Sequence, residues 1–127
     1  MPPQLLSSPG QEAEVVSLLQ LIGSGATFDG RRVRVIGYAT IEFEGTALFL
    51  HKEDSDRMIL KNSVWLALPY TSPFREFTDH YVYVEGTFKS GARGHLGQCS
   101  GALVDISAFG RMPSRKEFTD MAKPDHP

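Results

Sequence analysis

The chain has 127 residues, of which 41% are hydrophobic and 22% are charged, and this composition is typical of a single globular domain. Its net charge of −2 excludes a general attraction to nucleic acid or to an anionic membrane, so any such affinity has to be local. The lone Cys99 excludes an internal disulfide and suits a reducing compartment. No apolar run has membrane-spanning length and no leader pattern is recognised, so we expect a soluble, cytoplasmic protein without a membrane partner.

An N-terminal helix is predicted over residues 8–23. Ser8 is followed by Pro9 and, three residues on, by Gln11, which is the pattern of a capped helix start. Apolar residues then recur at helical spacing, namely Val15, Leu18, Leu19 and Ile22. We expect this stripe to pack on a sheet rather than to dock a partner helix, and Gly23 to end the helix.

Two near-copies of one strand pattern organise the rest of the chain. In Arg31–Tyr38 and again in His80–Thr87, valines alternate with large polar or aromatic residues, and a glycine follows at the same offset. This alternation is typical of a half-buried strand that ends in a bend. Five strands are expected in all, at 31–43, 46–52, 62–68, 81–88 and 101–108.

The connections carry weaker signals. Residues 53–56 are expected to form a solvated loop, and residues 71–77 a short helix or 3₁₀ turn. Residues 90–100 form a glycine-rich connection. In the tail, 110–127, a capping box of Ser114 and Glu117 predicts a short C-terminal helix.

Two motifs resemble the OB-fold superfamily: Gly30-x-x-Val33-x-Val35-x-Gly37, and Tyr81-Val82-x-Val84-x-Gly86. The chain also resembles small bacterial proteins with an OB-like domain. The resemblance implies a mainly β fold, a small five-stranded Greek-key barrel over 28–109 with an N-terminal helix and a short C-terminal helix. A different small barrel or a curved α+β sheet is the alternative. In OB-folds, ligands bind the outer face of strands two and three, between the loops that join strands one to two and four to five.

Alternation predicts which side chains reach that outer face. The predicted contact residues are Arg32, Arg34, Tyr38, Phe49, His51, Trp65 and Tyr83, with Arg93 and His95 from the glycine-rich loop. Aromatic rings beside arginines suit single-stranded nucleic acid, since bases stack on rings and guanidinium groups pair with phosphates. The alternative interpretation is that the terminal helices cover some of these rings as a second core.

Acidic residues in the same region favour a protein partner. They are Glu42, Glu44, Glu53, Asp54, Asp56 and Glu85, and each would repel a phosphate chain within about 8–10 Å. A mixed surface of aromatic, arginine and carboxylate groups matches protein interfaces better. We therefore expect a non-enzymatic binding module for a protein, of which an inhibitor or immunity-type protein would be one form. Single-stranded nucleic acid is the alternative partner, and an unpaired barrel edge would permit a homodimer.

The chemistry-bearing residues do not assemble into a recognisable active site. Cys99 and His95 lack the orienting third group that a nucleophile–base pair needs. The glycine-rich loop lacks the Gly-Lys-Ser/Thr ending of a phosphate loop, and the acidic run 53–56 lacks the glycine and distal glutamate of a calcium loop. The sequence therefore predicts no enzyme, no metal and no cofactor.

Overall fold

A computed structural model describes residues 4–6, 12–42, 45–69, 71, 73–92 and 97–122. Within these residues, no helix is both long and apolar enough to cross a bilayer. The strands are β1 (Gln4–Leu6), β2 (Glu14–Val15), β3 (Arg32–Thr40), β4 (Ala47–Phe49), β5 (Ser63–Leu66), β6 (His80–Lys89) and β7 (Ala102–Arg111). The helices are α1 (Leu18–Gly23), α2 (Gly25–Phe28), α3 (Lys52–Asp56) and α4 (Arg115–Ala122), with 3₁₀ turns at Leu60–Asn62 and Phe74–Phe77.

Strands β3 to β7 close into a barrel. β3 pairs antiparallel with β4 and β6, β4 pairs antiparallel with β5, and β6 pairs antiparallel with β7. The circle is completed by a parallel pair between β5 and β7, in which Trp65 lies opposite Ala102. This order of strands is that of the OB-fold barrel, so the predicted five-stranded, mainly β architecture is confirmed.

The alternating valines line the inside of the barrel. Val33, Val35, Val82 and Val84 are at most 1% exposed, because alternate side chains of β3 and β6 point to the same side. Helices close the ends: Leu21 of α1 is buried in the same core, and Phe77 of the second 3₁₀ turn packs edge-to-face against Phe109 with ring centroids 5.2 Å apart.

The N-terminal helix starts later than predicted. Helix α1 begins at Leu18. The Ser17 side chain accepts a hydrogen bond from the Gln20 backbone N–H, and the Gln20 side-chain oxygen accepts one from the Ser17 backbone N–H. Val15 lies instead in β2, whose backbone pairs in parallel with β3. The backbone hydrogen bonds on that side of β3 hold the segment extended, so the predicted start at Ser8 is wrong for residues 12–17, and Ser8 itself lies outside the described residues.

The predicted loop at 53–56 is wrong, since these residues form α3, whereas the expected solvent exposure holds for Glu53 and Asp56. Asp54 is buried and ends the first turn: its Oδ2 accepts from His51 N–H at 3.0 Å, and its Oδ1 accepts from Asn62 Nδ2 at 3.0 Å. A carboxylate at this position satisfies backbone donors at a helix start and favours the helix over an open loop.

The C-terminal helix has the predicted capping box. Glu117 N–H donates to Ser114 Oγ at 3.1 Å, and Ser114 N–H donates to Glu117 Oε1 at 2.9 Å. The Ser114 backbone donor, followed by Arg111, lowers the pKa of Glu117 from 4.5. Phe118 and Met121, which lie three residues apart in α4, are both exposed.

Candidate functional site

Trp65 lies at the centre of the outer face of β4 and β5. The barrel register gives it a buried Ala47 on one side and a buried Ala102 on the other, and Lys89 follows beyond Ala102. The indole is partly exposed, and the Trp65 backbone N–H donates to Gly101 O at 2.9 Å. This row of Ala47, Trp65, Ala102 and Lys89 is called the Trp65 surface below.

Two predicted contact residues beside it are not exposed. Tyr38 and Phe49 are 4% and 2% exposed and pack with Ala47 and Leu60 in a second, smaller hydrophobic cluster outside the barrel. Leu60 comes from the segment between β4 and β5, which folds back over these outward-facing rings. The rings of Tyr38 and Phe49 are therefore covered, as the alternative interpretation expected, but by the segment of α3 and the following turn and not by the terminal helices.

Tyr38 is also held by polar contacts. Its hydroxyl donates to Asp79 Oδ1 at 3.2 Å, and its ring meets that of Tyr81 edge-to-face with centroids 5.2 Å apart. Burial, followed by the charge of Asp79, raises the pKa of Tyr38 above 10.0. The side chain is a packed, neutral phenol.

Tyr83 is a third predicted contact residue that is covered, in this case by an arginine. The Arg34 guanidinium carbon lies 4.0 Å from the centre of the Tyr83 ring, and Arg34 Nη1 forms an ion pair with Glu85 Oε2 at 2.8 Å. Tyr83 is 7% exposed, and its desolvation raises the pKa of the phenol while Arg34 partly opposes that shift. Arg34 is thus engaged in a cation–π contact and an ion pair.

Arg32 is engaged as well. Its Nη1 donates to Asp105 O at 2.6 Å and to Thr87 Oγ1 at 3.2 Å, and its Nη2 donates to Ser107 Oγ. Asp105 has a left-handed backbone with a φ of 50°, and it lies where the pairing of β7 with β6 shifts register. Arg32 therefore binds β7 at this irregularity. The guanidinium groups of Arg32 and Arg34 therefore both have protein partners.

The remaining predicted contact residues divide into exposed and undescribed ones. His51 is exposed at the end of β4. Arg93 and His95 lie outside the described residues. The end of their loop is tied to β5, since Ser100 N–H donates to Ser63 O at 2.9 Å and Cys99 Sγ lies 3.4 Å from Ser63 Oγ.

An exposed apolar tip follows α3, and sequence reasoning missed it. Met58 and Ile59 are both exposed, and Met58 has a φ of 56°. Ile59 N–H donates to Asp54 O at 2.8 Å and Met58 N–H to Ser55 O at 3.1 Å, which is a Schellman ending with methionine where glycine is preferred. The absence of a glycine hid this helix end. Among the described residues, no three His, Cys, Asp or Glu side chains form a group suited to a metal ion.

The order and pairing of strands β3 to β7 give the chain an OB-like architecture. No protein-family model matches the sequence, and a search of curated proteins finds no match. Among solved structures, a chain of the S. pombe Stn1–Ten1 complex is similar over 88% of this chain and 90% of its own length, at 15% identity and a TM-score of 0.45. The fold assignment depends on the strand order and register given above, and the resemblance to bacterial proteins stays a prediction.

Proposed function

We propose that the chain is a non-enzymatic binding protein and that the Trp65 surface is its contact site for a macromolecular partner. One observation carries this proposal: among the aromatic residues predicted to bind, Trp65 alone combines an outward position on β5 with partial exposure, whereas Tyr38, Phe49 and Tyr83 are buried. Tryptophan on a ligand face is a typical anchor for protein and for nucleic-acid partners alike.

A protein partner is the first candidate, because the two described arginines that were predicted to pair with phosphates lie away from the Trp65 surface. Arg32 and Arg34 are on β3, where they bind strand β7 and Glu85, so neither supplies a guanidinium group to the row that contains Trp65. Exposed apolar groups are also present at Met58 and Ile59, which precede in sequence the 3₁₀ turn leading into β5. Apolar and aromatic groups of this kind form the desolvated centre of protein interfaces.

The test is affinity capture of the tagged protein from a lysate of its source, with and without nuclease. A protein that survives nuclease and is retained by the wild type and by Met121→Ala, but is lost with Trp65→Ala, supports the proposal. Loss of an anchor of this type weakens binding by about 30-fold or more. Met121 is the matched control, because it is an exposed apolar side chain on the distant α4. Equal retention by Trp65→Ala would contradict it.

Single-stranded nucleic acid is the second candidate, and the exposed Lys89 in the same row as Trp65 favours it. A base can stack on a partly exposed indole while a nearby lysine pairs with a phosphate. Trp65 is the sole tryptophan, so its fluorescence reports on this surface alone. An oligothymidine that quenches the emission, with an affinity that falls steeply with salt and with Lys89→Ala, would move this candidate to first place. A duplex of matched length is the control.

A further inference from the structure

A second outward surface lies on β2, β3 and β6. Its register places Val15, Arg34 and Glu85 in one row across these strands, and Ile36 beside Tyr83 in the next row. Val15 is 78% exposed and Ile36 is 49% exposed, although both flank the Arg34–Glu85 ion pair. These four outward residues, Val15, Arg34, Ile36 and Glu85, are called the β3–β6 face.

The charges at the centre of this face are held in fixed positions. Arg34 lies over the buried Tyr83 ring at 4.0 Å and bonds Glu85 at 2.8 Å, with side-chain exposures of 38% and 21% for the two partners. Stacking and ion pairing restrict both side chains before any partner arrives. A face whose charged groups are already ordered loses less side-chain entropy on binding.

We propose that the β3–β6 face binds a second copy of this chain in a two-fold symmetric dimer. In such a contact the same surface meets itself in reversed order, so Arg34 of one protomer faces Glu85 of its partner, and Glu85 faces Arg34. The four charges then form one closed network, and Val15 and Ile36 cover it with apolar contacts. This inference concerns a different surface from the Trp65 surface and does not rest on the function proposed above.

Charge complementarity selects a second copy over an unrelated protein. One cation beside one anion gives the face no net charge, so a partner of either sign meets one attractive and one repulsive group. A second copy offers the opposite charge at both positions at once. Complementary charges across an interface fix how the two surfaces align, and they disfavour partners that would place like charges together.

The test exploits the reciprocity of the network by charge exchange. Arg34→Glu leaves two acids on the face, and Glu85→Arg leaves two arginines, so each variant repels its own copy. Sedimentation equilibrium is expected to give a wild-type dimer of 28.0 kDa, twice the 14.0 kDa of the chain, and a dissociation constant weakened by about 100-fold for either variant alone. An equimolar mixture of the two variants is expected to restore the dimer, because every position then meets its opposite charge.

Controls separate the interface from misfolding. Lys52→Glu breaks the exposed ion pair between Lys52 and Asp56 on α3, and it should leave the dimer unchanged. Ile36→Lys keeps Arg34 and Glu85, places a charge at the apolar edge, and should give a folded monomer by circular dichroism and sedimentation, whereas Met121→Lys should remain dimeric. A wild-type monomer at the highest soluble concentration, a mixture that stays monomeric, or a dimer unaffected by Ile36→Lys would each overturn the proposal.

Discussion

Replacing Gly37 by alanine should be among the most destabilising single-methyl changes in the barrel. Gly37 lies in β3 opposite Val82 of β6, next to the point where β3 also pairs with β4. An added Cβ would lie 2.7 Å from Leu48 Cγ and 2.8 Å from the backbone oxygen of Phe49. Leu48 is fully buried, and the Phe49 carbonyl belongs to a paired strand, so neither can move away alone and the two strands would have to separate.

The size of the effect follows from those distances. An ordinary contact begins at 3.4 Å, so β4 must retreat by 0.6 Å, the difference between 3.4 and 2.8 Å. Overpacking of a dense core costs about 1–3 kcal/mol, and weakening one strand hydrogen bond adds about 0.5–1.5 kcal/mol. We therefore expect Gly37→Ala to lower the free energy of unfolding by about 2–4 kcal/mol.

Urea denaturation followed by tryptophan fluorescence measures this change. With a slope of about 2 kcal/mol/M, the midpoint should fall by about 1–2 M. Gly23→Ala is the matched control, because a Cβ at the end of α1 meets nothing within 4 Å, and there alanine should raise stability by about 0.5–1 kcal/mol. A Gly37→Ala protein within about 0.5 kcal/mol of the wild type would refute the close-approach argument.

Four further predictions concern helix ends and titrating groups. Met58→Gly should stabilise the protein by about 0.5–1 kcal/mol in the same urea assay, since glycine is unstrained at a φ of 56°, and a loss of stability would contradict the Schellman assignment. Asp54→Ala should cost about 1–3 kcal/mol, because two donors lose their acceptor, while exposed Asp56→Ala should stay within about 0.5 kcal/mol. The lowered pKa of Glu117 means that its ionised form stabilises α4. The helical population of α4, measured by NMR chemical shifts, should be at its maximum above pH 4.5 and should decline as the pH falls through that lowered pKa. The same pH profile in Glu117→Gln would contradict this assignment. The raised pKa of Tyr38 means that its contribution to stability is fully present below pH 10.0 and is lost as the pH rises through that raised pKa. Tyr38→Phe should reduce this loss of stability at alkaline pH, as measured by urea denaturation at a series of pH values.

Strand positions could be predicted because apolar residues alternate along a strand when one of its faces is buried in the core. Val33 and Val35 have to face one side of β3, and that side is the barrel interior. Alternation also predicted correctly that side chains such as those of Arg34 and Trp65 point away from the barrel interior. Alternation cannot show whether another segment of the chain covers an outward side chain. Phe49 is covered in this way, because Leu60 from the segment after β4 packs against it.

Helix ends were harder to predict because short polar patterns recur. A serine followed by glutamine three residues on occurs at Ser8 and again at Ser17, and both fit a capping box. Pairing of β2 with β3 holds Glu14 and Val15 in an extended conformation, and helix α1 begins after Ser17. The acidic run around Asp54 likewise indicated solvent exposure, whereas its carboxylate serves as an internal acceptor.

The order of strand pairing has a consequence for folding kinetics. Strand β1 joins β7 through Gln4 and Gly110, which are 106 residues apart (110 − 4), and the barrel closes only when β7 meets β5. Long-range pairings of this kind are slow, because a large loop must close before any contact repays its entropy. During synthesis the edges of β5 and β6 that receive β7 stay unpaired until the last quarter of the chain emerges. Translational pausing before Ala102 would therefore prolong the stage at which this protein is most exposed to aggregation.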